Sequence, residues 1–196
     1  FVYLMGKRGH DTQGVEANLP YAEYSQAEFK IPVTICPFSQ FHSKKRFDLI
    51  TMFHVLEHLE NPIKDLKHLG KYLKPKGRFI IEVPNILYPN MSFSNKWHPG
   101  HLFSYTKDTL PLVMKVAGFD LVKCNTLEDG GNLWGEFAKS NYEHGERICQ
   151  ADGQAIIKEL YDKKLNYYLR MGNFLKFIPK IISQLQEYLK AKNKRG

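Results

Sequence analysis

Cysteine is scarce in this sequence: Cys36, Cys124 and Cys149 are the three among 196 residues. An odd number without metal-type spacing argues against a disulfide framework and for a reducing compartment, which predicts a cytoplasmic protein. Long apolar runs are missing too. No stretch approaches the about 18 apolar residues of a membrane helix, and mean hydropathy is −0.41, so no transmembrane segment is expected. Phe1-Val2-Tyr3-Leu4 is too short for a leader and lacks a basic start. There is no internal repeat and no low-complexity tract.

Acidic residues are in the minority, 20 against 28 basic ones. The excess is local. Residues 176–196 hold Lys176, Lys180, Lys190, Lys192, Lys194 and Arg195 against Glu187, a net +5 of the chain's +8. The remaining body, at +3, gives no sign of dedicated nucleic-acid binding, while the basic C-terminal tail is suited to acidic surfaces.

What the chain does have is alternation. Short apolar runs and helix-like segments follow one another to about residue 125, as in an α/β fold. Strands are expected at 10–16, 33–36, 47–53, 78–83, 120–124 and 134–138, and a helix over 21–29. Phe47 to Phe53 is apolar except at Asp48 and Thr51, which suits a parallel strand covered on both faces. Asn61 and Pro62 open a helix whose apolar face is Ile63, Leu66, Leu69 and Leu73, closed by Lys74-Pro75-Lys76-Gly77. Thr106 caps a helix through Val116, and Asp129-Gly130-Gly131-Asn132 marks a turn. Residues 151–190 are helical in pattern, with a break at Pro179. The boundaries that follow are 1–145 for an α/β domain and 146–196 for a C-terminal helical extension with its basic tail.

Ligands of open α/β sheets bind beyond the carboxyl ends of the strands. Three such ends carry notable residues: Glu16-Ala17-Asn18, Phe53-His54 and Val83-Pro84-Asn85. His54-x-x-Glu57-His58 has the spacing of two histidines one helical turn apart. Its setting argues against a metal centre, because a buried strand ends at Phe53, Pro62 follows closely and no third-ligand motif lies downstream. Glu57 and His58 then serve to brace the strand-to-helix segment, and no metal is expected.

The order Phe47-Asp48-Leu49-Ile50, Val55-Leu56-Glu57-His58-Leu59, Pro62, Leu73-Lys74-Pro75-Lys76-Gly77, Val83-Pro84-Asn85 resembles class I S-adenosylmethionine-dependent methyltransferases. Gly14-Val15-Glu16 is similar to the family's second strand, and Trp97-His98-Pro99-Gly100-His101-Leu102-Phe103-Ser104 with Ala117-Gly118-Phe119 to its downstream loop and helix end. The likeness spans about residues 1–140. It implies a Rossmann-like, mostly parallel sheet with an antiparallel strand near 133–139. It further implies S-adenosylmethionine as cofactor and methyl transfer to a small-molecule acceptor. On this likeness Glu16 and Ala17 take the ribose, Phe53 and His54 lie against the methionine part, and His101 or His98 removes the acceptor's proton, with Trp97 and Tyr105 shaping the acceptor pocket. The family's first strand and Gly-rich turn have no counterpart, so about half a cofactor site is expected from these residues. A non-catalytic binding or interaction module is the competing expectation.

Overall fold

The computed structural model describes residues 1–92, 96–140 and 152–170, together with 172, 179 and 183. Helix α1 (Val2–Lys7) precedes a small βαβ unit of β1 (Gly14–Glu16), α2 (Leu19–Phe29) and β2 (Val33–Ile35). Strand β3 (Phe47–Phe53) leads through a single 3₁₀ turn to α3 (Pro62–Gly70) and β4 (Leu73–Pro84). The remainder is α4 (Thr109–Val116), β5 (Phe119–Thr126), β6 (Asn132–Lys139) and α5 (Gly153–Leu169).

The strands form two sheets. β1 and β2 pair in parallel, and a four-stranded sheet has the order β3-β4-β6-β5. β3 is parallel to β4, and β6 runs antiparallel to both β4 and β5. Three strands of the larger sheet therefore point one way, with β6 the expected reversed strand. One of its faces buries Phe79, Ile81 and Val83 of β4, Leu133 and Phe137 of β6, and Phe119 of β5. Leu66 and Leu69 of α3 and Leu110 and Met114 of α4 cover them. Full burial of each such side chain stabilises by about 1.5–3 kcal/mol.

Several expected boundaries move. The β1 strand is confined to Gly14–Glu16, because residues 10–13 find no partner strand among the described residues. Helix α3 stops at Gly70, and Leu73 is the first residue of β4, paired with Phe47. Lys74-Pro75-Lys76-Gly77 thus lies inside a strand, accommodated by a register shift opposite Phe47–Leu49. A bulge tolerates the missing proline N–H. Asn61 holds the N-cap position without a side-chain cap. Helix α4 has Asp108 at its N-cap position, and Thr106, the expected cap, lies two residues earlier, its hydroxyl accepting from the N–H groups of Asp108 (3.3 Å) and Thr109 (3.1 Å). Gly118, at φ 92°, closes that helix as expected. Residues 172, 179 and 183 have helical backbone. The residues flanking Pro179, where a break was expected, and the basic tail beyond residue 183 lie outside the described residues. No helix among the described residues is long and apolar enough to cross a membrane.

Candidate functional site

The carboxyl end of β3 turns sharply. His54 has φ 53°, in the left-handed region that non-glycine residues seldom occupy, and Leu56–His58 form the 3₁₀ turn. The turn drives Glu57 inward to 1% exposure, and neither carboxylate oxygen has a hydrogen-bond partner. Three imidazoles surround it. His54 Nδ1 lies 3.5 Å and His58 Nε2 3.9 Å from Glu57 Oε1, both too far for a good hydrogen bond. The His101 ring centre is 4.8 Å from that of His58. On its other side His54 Nε2 meets Glu82 Oε1 at 3.2 Å, and the same oxygen accepts from Asn132 Nδ2 at 3.0 Å.

Loop 96–103 completes the cluster. Leu102 and Phe103 donate their N–H groups to the Glu57 carbonyl (2.8 and 3.1 Å). His58 Nδ1 donates to the Gly100 carbonyl at 2.7 Å, and the Gly100 N–H donates to His98 Nδ1 at 3.1 Å. His98 and His101 meet as tilted rings, 4.8 Å between centres and 42° between planes. Burial pushes the His101 imidazole below its ordinary pKa. The neighbouring His58, His98 and His54 add to the shift, and Glu57 opposes it. His101 is therefore held as a neutral ring with a free lone pair near neutral pH. Tyr105 is not a pocket wall: it is 2% exposed, part of the core, with its hydroxyl bonded to the Leu56 carbonyl at 3.5 Å. Burial and the Glu57 carboxylate push its phenol pKa upward. Trp97 is 54% exposed.

The cofactor-side residues lie elsewhere. A cavity of about 680 Å³ separates the two sheets, lined by Gly14 and Val15 of β1, by β3 from Phe47 to Phe53, and by Phe1 and Met5. Phe53 is 37% exposed there and meets Phe1 edge-to-face at 5.5 Å. Glu16, Ala17 and His54 are not among the cavity's lining residues. Glu16 Oε1 accepts the N–H of Asn18 at 2.8 Å, and Ala17 is exposed. The second Glu16 oxygen has no partner among the described residues, so a carboxylate acceptor faces solvent just beyond β1. Its chemistry fits a vicinal diol, and the exposed face of Phe53 fits a sulfonium cation.

His54, His98 and His101 thus come together, while Glu16 and Ala17 belong to the other sheet. Glu82, Asn132 and the engagement of Glu57 and His58 were not read as site features from the sequence. The alternation of Ile81-Glu82-Val83 at a strand's carboxyl end was the available signal for Glu82; none pointed to Asn132.

Residues 1–124 match the family model described as a methyltransferase domain. No curated protein matches the sequence. Among solved structures, the chain is similar to 1,6-didemethyltoxoflavin-N1-methyltransferase from Burkholderia thailandensis, seen with 1,6-didemethyltoxoflavin and S-adenosylhomocysteine. That likeness has a TM-score of 0.55 at 20% identity, covering 70% of this chain and 65% of that one. It is also similar to the CcbJ methyltransferase of Streptomyces caelestis, with a TM-score of 0.57 at 13% identity over 69% and 77% of the two chains. A TehB-like S-adenosylmethionine-dependent methyltransferase from Corynebacterium glutamicum gives 0.55 at 17% identity over 71% and 73%. The chain spans just under two thirds of the length of the toxoflavin enzyme. It belongs to the methyltransferase domain family and has the α/β fold of these structures.

Proposed function

We propose that this chain carries the acceptor half, and part of the cofactor half, of a site for methyl transfer from S-adenosylmethionine to a small-molecule hydroxyl or amine. The observation that carries the reading is the convergence of His54, His58 and His101 on the buried Glu57 at the carboxyl end of β3, with His98 beside His101. When bound, S-adenosylmethionine supplies an electrophilic methyl carbon on a sulfonium. Glu16 would hold the ribose hydroxyls and Phe53 the sulfonium side, with Ala17 and His54 bordering them. His101, kept neutral, is placed to take the proton of the acceptor. His98 is the weaker candidate. Its Nδ1 already accepts from Gly100, so a neutral His98 carries its proton on Nε2 and cannot accept there. Most of what such a site contributes is proximity and orientation. The free thiols Cys36 and Cys124 support a reducing, cytoplasmic setting.

The cavity between the sheets favours a second reading, a methyltransferase-like binding module. Across it no strand joins β1 to β3 among the described residues. S-adenosylhomocysteine titrated into the 196-residue chain separates the two. The enzyme reading expects binding weaker than micromolar that drops at least tenfold in Glu16→Ala. The module reading gains if a folded chain shows no binding, or binding indifferent to Glu16. Tight binding without Glu16 would show that the ribose assignment is misplaced.

A further inference from the structure

Helix α3 has two unlike faces. Leu66 and Leu69 are buried in the core, while Lys64, Lys67 and Lys71 are exposed on the other side. At 3.6 residues per turn the three lysines fall within about 60° of one another around the axis. Like charges at i, i+3 and i, i+4 repel, so this row is unfavourable for the helix that carries it. Elsewhere Lys45, Lys74 and Lys163 each meet a carboxylate at 2.7–2.8 Å, whereas none of Lys64, Lys67 and Lys71 has an ion pair or side-chain hydrogen bond among the described residues. An open groove of about 640 Å³ is lined by these three side chains, with Ile63, His68 and Phe103 among the others. His68 gives its Nε2 proton to the Phe41 carbonyl at 2.7 Å, which leaves the lysines as the cationic donors. Glu60 is the one acidic lining residue, so the groove carries a net +2. Asp65 feels the Lys64 charge but is half-buried and does not line the groove. At the other end, exposed Phe103 is fastened by its N–H to the Glu57 carbonyl, two residues from His101.

We propose that this groove binds a phosphate or diphosphate ester and, resting on the reading that methyl transfer occurs at the histidine cluster, that the ester is the charged arm of the acceptor. Lysine ammonium groups bind phosphate oxygens as point charges, each with three donors. A phosphate carries about −1.5 to −2 charge near pH 7, which matches the groove's surplus. From Lys64 to Lys71 the helix rises about 10 Å, a span that a diphosphate follows and a single carboxylate does not. The ring of Phe103 offers an apolar face to the carbon side of the ester. An anion lying along α3 relieves the repulsion within the lysine row, and its carbon end is delivered to the loop that holds His101. The groove's size is in the range of small-molecule sites.

The test reads binding by the full chain, with inorganic pyrophosphate and phenyl phosphate as probes in low-salt calorimetric titrations. One equivalent of each should bind. Replacing Lys67→Gln and Lys71→Gln together should weaken pyrophosphate at least tenfold, and Lys67→Arg with Lys71→Arg should largely retain it. Phe103→Ala should weaken phenyl phosphate about fivefold and leave pyrophosphate unchanged. Lys123→Gln, on strand β5, should change neither. All these side chains are exposed, and circular dichroism melts confirm that each variant is folded. Phenyl phosphate should also move the His101 ring resonance in NMR spectra, because Phe103 and His101 share one loop. Absence of binding, binding that survives both Lys→Gln replacements, or an unmoved His101 resonance overturns the proposal. So does attachment through these lysines to vesicles of phosphatidylglycerol and phosphatidylcholine without affinity for pyrophosphate. Pyrophosphate bound by a chain that takes no S-adenosylhomocysteine would keep the anion site and remove the methyl-transfer reading.

Discussion

Residues 1–46 and residues 47–140 differ sharply in how they are held. The first region buries only Ala22 and Phe41, whereas every other buried apolar side chain among the described residues lies in the second. The first sheet has two strands of three residues each, and the second has four strands of seven to twelve. A two-stranded sheet is marginal on its own, and three or more strands with a covered face are not. Yet each region carries part of the proposed site: Glu16 and Ala17 on the sparse one, Phe53 and the histidine cluster on the dense one. The dense sheet provides a rigid frame, and the carboxylate proposed to hold the ribose is attached to the part most free to open locally.

The largest test of this contrast is Phe137→Ala in β6, which removes a fully buried ring beneath β4 and β5. It should cost about 3–5 kcal/mol of unfolding free energy in urea titration. A cost below about 1 kcal/mol would mean the larger sheet is not the stable unit. Next is Gly135→Ala. An added Cβ would sit 2.5 Å from a Phe137 ring atom, and the overpacking should cost about 1–3 kcal/mol by the same measurement. In the sparse region, Asn18 accepts the N–H of Tyr21 at 3.1 Å as the N-cap of α2. Asn18→Ala should cost about 1 kcal/mol. Native-state hydrogen exchange should show that loss in residues 19–29 while β4 and β6 amides keep their protection. A loss spread evenly over both sheets would break the distinction.

The smallest effect is pH-dependent. The folded-state pKa of His101 lies below the unfolded value, chiefly through burial. Between the two values the unfolded chain binds more protons, so stability rises with pH in that window and falls as pH drops below about 6.5. Thermal melts should show His101→Ala losing less than the wild type on acidification, in metal-free buffer. An equal loss in both would place the acid sensitivity elsewhere.

Much of the dense sheet was legible because its strands hold short clusters of apolar and aromatic residues between turn signals. Phe47 to Phe53 was read with the bounds it has, and β5 and β6 were found to within two residues. Leu73 misled: it continues the i, i+4 face of Leu69, and Lys-Pro-Lys-Gly has the composition of a helix stop. Pairing of Leu73 with Phe47 overrode that local signal. The short β1 was overextended, since residues 10–13 have strand-like composition but no partner to bond. At the site, His54, His98 and His101 could be singled out from strand ends and a loop. Their meeting around Glu57 could not, because an irregular loop has no periodicity to show which way it folds.

The two N–H bonds from Leu102 and Phe103 to the Glu57 carbonyl also bear on timing. A loop fastened by its own backbone to the residue at the heart of the cluster cannot swing aside without breaking both bonds and pulling the β3–α3 turn with it. Rotation of the exposed His58 and His98 rings breaks neither. Ring rotations belong to the picosecond–nanosecond range, and backbone release of this kind to microseconds or longer. Small molecules should therefore reach this face at rates set by diffusion and ring motion, with no slow conformational step before capture.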